Sequence, residues 1–164
     1  MRPLCVMLDS NGVDPLIDIE DAYEVLDAAV RGGRLEVLFT HVLIDEVAKT
    51  PDVERRIRLL LAVIGVGNLV HTGAFVLGAS RLGRARITAH SPGQGVVTTA
   101  GKHTNDALIE VTAAYENAIL ITADRRLTAR AAQHGIAVYT MPALIEHLRT
   151  DLLGDRDEYS ADDS

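Results

Sequence analysis

The 164-residue chain has one cysteine, no tryptophan, four tyrosines and two phenylalanines. A single thiol excludes an intrachain disulfide and a cysteine-based zinc cage. Cys5 lies inside the apolar run Leu4–Leu8, so it reads as a small core residue rather than a nucleophile. This cysteine usage suits a reducing compartment, and a cytoplasmic location is expected. The scarcity of aromatics argues against a platform on which nucleic-acid bases stack. Long hydrophobic runs are missing as well. Asp9 interrupts the N-terminal run too early for a secretory signal, and no stretch is long enough to span a bilayer, so no membrane partner is expected. The run Leu59–Val66 is bounded by arginines and glycines and reads as core.

Acidic residues are also missing from one region. The net charge is −7, yet residues 55–105 contain no Asp or Glu, where the chain average predicts about seven. That stretch carries Arg55, Arg56, Arg58, Arg81, Arg84, Arg86 and Lys102. The last fourteen residues hold six acids against Arg156. A basic middle between acidic flanks leaves a nucleic-acid partner open despite the overall charge. Arg55, Arg56 and Arg58 share a segment with apolar residues and read in part as solvated surface. Arg81, Arg84 and Arg86 lie in a glycine-rich stretch and are the candidate contacts to nucleic-acid phosphates.

The pattern of elements alternates strand and helix. Leu4–Leu8 is continuously apolar, as a strand buried on both faces would be, and ends in Asp9-Ser10-Asn11-Gly12. Asp14 and Pro15 mark a helix start, with Ile17, Tyr23, Leu26, Ala29 and Val30 as its apolar face and Gly32-Gly33 as its stop. Leu35–Phe39 is a second strand. Thr40 is a cap for a helix carrying Leu43, Ile44 and Val47. Thr50-Pro51 marks a further helix through Leu59–Ile64, with Gly65 and Gly67 ending it.

Residues 65–101 hold eight of the thirteen glycines. Val70–Leu77 and Arg84–Thr88 are candidate strands there, and Ser91–Gly101 a candidate loop. Regular patterning returns with a helix over 105–116, a strand Ala118–Thr122, a helix Arg125–His134 and a strand Ile136–Tyr139. A last helix starts at Pro142 and is expected to run to about Leu153. Residues 1–153 are expected to form one domain, and the acidic tail 154–164 to be disordered. The alternation predicts an α/β fold, three layers with a central, mainly parallel sheet.

In such a sheet, loops at the carboxyl ends of strands share one edge. Asp9 and Asp124 each follow a strand, so they can converge across a long sequence gap. Asp106 sits in the first turn of its helix, and Glu46 lies off the apolar stripe of Leu43, Ile44 and Val47. Gathered carboxylates repel unless a cation neutralises them, and all-oxygen donors suit Mg²⁺ or Mn²⁺. The six histidines show no paired ligand spacing. His71, His90 and His103 lie in the acid-free stretch and are not placed in the site.

Each acid also has a plain structural role open to it. Asp9 can cap a turn, Asp106 can serve its helix dipole, Glu46 can be a solvated helix residue like Asp45, and Asp124 can cap the helix after it. Glu110, one turn beyond Asp106, reads as solvated.

Four segments resemble the motifs of PIN domains: Val6-Met7-Leu8-Asp9-Ser10-Asn11, Val42-Leu43-Ile44-Asp45-Glu46-Val47, Asn105-Asp106-Ala107-Leu108-Ile109 and Leu120-Ile121-Thr122-Ala123-Asp124-Arg125-Arg126-Leu127. The resemblance covers residues 1–54 and 103–150 and fails over 65–101. It implies a PIN-like fold and a metal-dependent endoribonuclease. It makes Asp9, Glu46, Asp106 and Asp124 the acids that bind Mg²⁺ or Mn²⁺, with Asn11 and Thr122 as supporting polar residues. It also implies a homodimer and, for the toxin branch of the family, an antitoxin protein as partner. An orphan PIN nuclease in RNA processing and an inactive PIN-like protein-binding module are the alternatives. A phosphoacceptor domain would need a lysine on a late strand, and neither Lys49 nor Lys102 is placed there.

Overall fold

The computed structural model describes residues 2–72 and 104–159, without side chains for 152–159. The candidate strand Arg84–Thr88, the candidate loop Ser91–Gly101, most of Val70–Leu77, and Arg81, Arg84 and Arg86 lie outside the described residues.

Strand β1 (Leu4–Leu8) leads through a 3-10 turn (Ser10–Gly12) to α1 (Pro15–Asp18) and α2 (Ala22–Arg31). Then come β2 (Leu35–Phe39), α3 (His41–Val47), α4 (Val53–Val66) and β3 (Asn68–Leu69). Beyond residue 103 follow α5 (Thr104–Glu116), β4 (Ile119–Ile121), α6 (Arg125–Gln133), β5 (Val138–Tyr139) and α7 (Met141–Tyr159). Among the described residues five strands form one sheet in the order β3-β2-β1-β4-β5, and every pair is parallel.

Side chains alternate across each strand, so the sheet feeds two cores. Val6, Leu8, Val37, Phe39 and Ile121 pack on one face with residues of α2, α4 and α7, among them Leu26, Val63 and Leu144. Met7, Leu38 and Leu120 face the other way, onto Leu108 and Ile109 of α5 and Leu127 of α6. The architecture is the expected three-layer α/β sandwich. Cys5 is half-buried, and its burial, with the charges of Glu36 and Glu116 nearby, pushes its thiol up to about 11. The thiol therefore stays protonated at neutral pH and is a poor nucleophile.

Several local expectations give way to tertiary contacts. The helix expected from Asp14 is split in two, because Asp21 adopts a left-handed φ of 57° between α1 and α2. Asp14 makes no side-chain cap; its Oδ1 instead accepts from Arg55 at 2.7 Å. Thr40 likewise makes no side-chain cap for α3. The cap of α4 is Asp52, whose carboxylate accepts from the backbone N–H of Arg55, and not Thr50.

Gly65 does not end α4 but lies within it. A Cβ there would stand 2.6 Å from the Tyr23 hydroxyl, so its small size serves the packing of α2 against α4. The run Leu59–Val66 is core on one side only: Leu59 and Val63 are buried while Leu61 and Ile64 are exposed. Helix α7 continues to Tyr159, past the expected end at Leu153 and into the tail taken as disordered. Once a helix is nucleated, each further residue gains a hydrogen bond without needing an apolar face.

Among the described residues no helix is long and apolar enough to cross a membrane.

Candidate active site

The sheet order reverses between β1 and β4: β2 and β3 lie to one side, β5 to the other. Open parallel sheets form a crevice at such a point, beyond the carboxyl ends of the strands. Leu8 of β1 is in register with Ile121 of β4, so Asp9 and Thr122 leave the sheet side by side. The Asp9 backbone N–H donates to the Ile121 carbonyl at 3.0 Å and extends that pairing by one step.

Gly12 lets the chain turn here. A Cβ on it would stand 2.6 Å from the Ile121 carbonyl oxygen and 3.2 Å from Thr122 Cα. Both are backbone atoms with little freedom to move, so only glycine brings the Ser10–Gly12 turn this close to β4.

Asp9 is 1% exposed. Its Oδ2 accepts from Thr122 Oγ1 at 2.7 Å, and from the Asn11 backbone N–H and Nδ2 at 3.3 Å each. Burial pushes its carboxyl above the ordinary value, and the nearby Glu46 charge pushes the same way; the bonds from Thr122 and Asn11 pull it back in part. Turn capping and a role in the site are therefore compatible for this one side chain.

Glu46 projects from α3 and is half-buried. Ser10 Oγ donates to its Oε2, and Asn105 Nδ2 donates to its Oε1 at 2.7 Å. It is thus no free solvated helix residue. Those two partners tie α3 to the turn after β1 and to the first turn of α5. Asp106, half-buried, follows Asn105 in that turn.

Thr122 joins the remaining acid. While its Oγ1 donates to Asp9, it accepts from the Asp124 backbone N–H at 3.0 Å. Asp124 caps α6, its Oδ1 accepting from the N–H groups of Arg126 (2.7 Å) and Leu127 (3.1 Å). Those backbone donors, with Arg126 and Arg130 nearby, hold its carboxyl below the ordinary value, so it stays ionised.

The structure therefore brings Asp9, Glu46, Asn11, Thr122 and Asp124 into one hydrogen-bonded and electrostatic neighbourhood, with Asp106 at its border through Asn105. Among the described residues, however, no three His, Cys, Asp or Glu side chains form a group able to hold a metal ion. The expected acids do not form a closed cage among the described residues.

Ser10 and Asn105 were not singled out in the sequence. Each directly precedes or follows a proposed acid, which is the only signal that could have marked them. Glu110, expected to be solvated, is instead 5% exposed and paired with Arg130 and His134, tying α5 to α6.

No family model matches the chain, and no curated protein sequence does. Among solved structures, a PilT N-terminus domain protein from the hyperthermophilic archaeon Sulfolobus solfataricus P2 aligns with a TM-score of 0.48 and 12% sequence identity. The alignment covers 88% of this chain and 93% of that one.

Proposed function

We propose that this chain is a metal-dependent nuclease that hydrolyses RNA phosphodiesters, with Asp9 and Glu46 at its centre. The observation that carries the reading is Asp9: a carboxylate 1% exposed, at the reversal point of a parallel sheet, within the field of a second carboxylate. Such an arrangement costs stability by itself and is relieved by a cation.

The donors suit a hard cation, since all are oxygens. Among the described residues, the three hydrogen bonds to Asp9 all fall on Oδ2, and Oδ1 is the proposed ligand atom. Asp9 and Glu46 would hold Mg²⁺ or Mn²⁺, with Asp106 and Asp124 at the rim. Mg²⁺ commonly takes one or two carboxylates and completes its shell with water and substrate phosphate, so a closed protein cage is not required. When bound, the ion supplies a water of lowered pKa and neutralises charge on the phosphate.

The chain's own residues set the geometry. Thr122 and Asn11 fix the Asp9 carboxylate, and Asn105 and Ser10 hold the two oxygens of Glu46. Asp124, kept ionised by its cap bonds, adds negative charge at the border. Substrate choice rests on the PIN resemblance and on the acid-free stretch, in which Arg81, Arg84 and Arg86 are the proposed phosphate contacts. Replacing those arginines should flatten the salt dependence of RNA binding; an unaltered slope removes them from the interface.

A second reading has its own support. Both Glu46 oxygens accept side-chain bonds, and Asp124 Oδ1 caps a helix. In a PIN-like binding module without activity, the same network would serve the fold alone.

The deciding experiment measures cleavage of single-stranded RNA in Mn²⁺ or Mg²⁺ and in EDTA, for the wild type, Asp9→Asn and Glu46→Gln. The nuclease reading expects metal-dependent cleavage that both variants lose while still folded. It fails if purified wild type cuts no RNA and neither metal raises its melting temperature. A toxin role further expects growth arrest on expression, relieved by a co-expressed partner encoded beside it.

A further inference from the structure

The carboxyl edge of the sheet holds one more buried polar side chain beside Asp9, so far without a role. Thr40 follows β2, the neighbour of β1 on the side away from β4. It is 0% exposed. Among the described residues its Oγ1 has no hydrogen-bond partner. A buried hydroxyl left unpaired costs stability, and such atoms are uncommon in folded proteins.

The backbone fixes which way this side chain faces. Asp9 (φ −104°, ψ 152°) and Thr40 (φ −107°, ψ 167°) are both extended, so each continues its strand by one residue. Met7 is in register with Leu38, and two residues further on Asp9 stands beside Thr40. The pairing of Leu8 with Ile121 sets Asp9 beside Thr122 in the same way. Met7, Leu38 and Leu120 all face the core under α5 and α6, and residues two apart on a strand share a face. Thr40, Asp9 and Thr122 therefore form a row across three adjacent strand ends.

The two threonines of that row differ. Thr122 donates to Asp9 Oδ2. Thr40 has the backbone of a helix cap, yet its hydroxyl accepts from no amide of α3. The bonds that described residues make to Asp9 all fall on Oδ2, so Asp9 Oδ1 and Thr40 Oγ1 are both left over. They belong to neighbouring strands, which run about 4.8 Å apart, close enough for both side chains to reach one ion.

A cation at Asp9 is short of protein oxygens. Both Glu46 oxygens already accept bonds from Ser10 and Asn105, and the described acids close no cage. Mg²⁺ is held in an octahedron of oxygens, and a threonine hydroxyl serves among them in phosphate-binding loops. An ion that reaches Asp9 Oδ1 enters the buried layer in which Thr40 also lies.

We propose that Thr40 Oγ1 is an oxygen ligand of the cation held at Asp9. One threonine of the row fixes the carboxylate, and the other joins the shell of the ion. The inference rests on the metal reading of Asp9 given under the proposed function.

The test is Mn²⁺ titration of the full chain, followed by the electron paramagnetic resonance signal of the free ion, with melting temperature in EDTA as a second readout. Thr40→Val keeps the shape and removes the hydroxyl. In EDTA it should melt about 2–4 °C above wild type, because an unpaired buried hydroxyl has become a methyl group. Its Mn²⁺ affinity should fall about tenfold or more. Thr40→Ser restores the hydroxyl and should recover most of that affinity.

Each contrary result has its own meaning. A wild type that binds no Mn²⁺ overturns the cation site at Asp9 and this inference with it. A wild type that binds Mn²⁺, matched by Thr40→Val, overturns the role of Thr40 alone. A valine variant that melts several degrees below wild type in EDTA refutes the proposal, since the hydroxyl then serves the fold. A serine variant as weak as the valine one refutes it too, by tracing the loss to packing.

Discussion

Replacing Asp9 by asparagine should stabilise the metal-free protein. The side chain is 1% exposed, so the variant keeps shape and volume while removing a buried charge. The loss is confined to the bonds on Oδ2. The Thr122 bond at 2.7 Å drops from a charge-assisted to a neutral one, a change of about 1 kcal/mol. The two Asn11 bonds at 3.3 Å are long and add little. Against this, a buried ion without full compensation costs several kcal/mol, and the Glu46 charge adds to that cost.

The balance favours the variant by about 1–3 kcal/mol. For a chain of this size, each kcal/mol moves the melting temperature by about 2–4 °C, so a rise of several degrees in EDTA is expected. Because the folded protein holds the Asp9 proton more tightly than the unfolded chain does, the protonated acid is the stabilising form. That contribution is complete below about pH 4, the ordinary carboxylate value, and is lost as pH rises through the elevated folded value. Wild type should therefore lose stability with rising pH in that window, and the asparagine variant should lose less. Added Mn²⁺ should stabilise the wild type and not the variant. A variant that melts several degrees below wild type in EDTA would refute this, since Asp9 would then be a net stabiliser of the fold.

Three other outcomes are expected. Thr122→Val removes a donor to Asp9 and an acceptor for the Asp124 N–H at a site 1% exposed; urea unfolding should show a loss of about 2–3 kcal/mol, and Asp9 should titrate still higher by NMR. Gly12→Ala drives a methyl against the Ile121 carbonyl; it should cost at least about 2 kcal/mol, and a loss under 0.5 kcal/mol would mean the turn can withdraw freely. Glu110→Ala strands Arg130, whose partner is then gone; thermal denaturation should report about 3 kcal/mol, whereas an unchanged melting point would make that pair dispensable.

Much of the fold is legible in the chain because strand and helix periods are local properties. Leu4–Leu8 is an uninterrupted apolar run and Leu35–Phe39 is apolar apart from Glu36, and both are strands of the parallel sheet. Strands expected to end at Leu8 and Thr122 put Asp9 and Asp124 at one edge before any distance is known, and the structure ends the later strand one residue sooner, at Ile121.

The helix starts are less legible. A good capping residue is common, and the surroundings decide whether it caps. Asp14 had the right neighbour in Pro15 but is held by Arg55, forty-one positions away. Gly65 looked like a stop and is instead the space that Tyr23 occupies.

By itself, then, the sequence determined the alternation of elements, the parallel sheet and the position of Asp9 and Asp124 just past strand ends, because these follow from hydrophobic period. Only the tertiary structure decided that Asp9 is buried beside Glu46, that Ser10 and Asn105 hold that glutamate, and that α4 turns a second apolar face outward. Those facts depend on which surfaces meet across long stretches of chain, and no local pattern of residue types encodes the meeting.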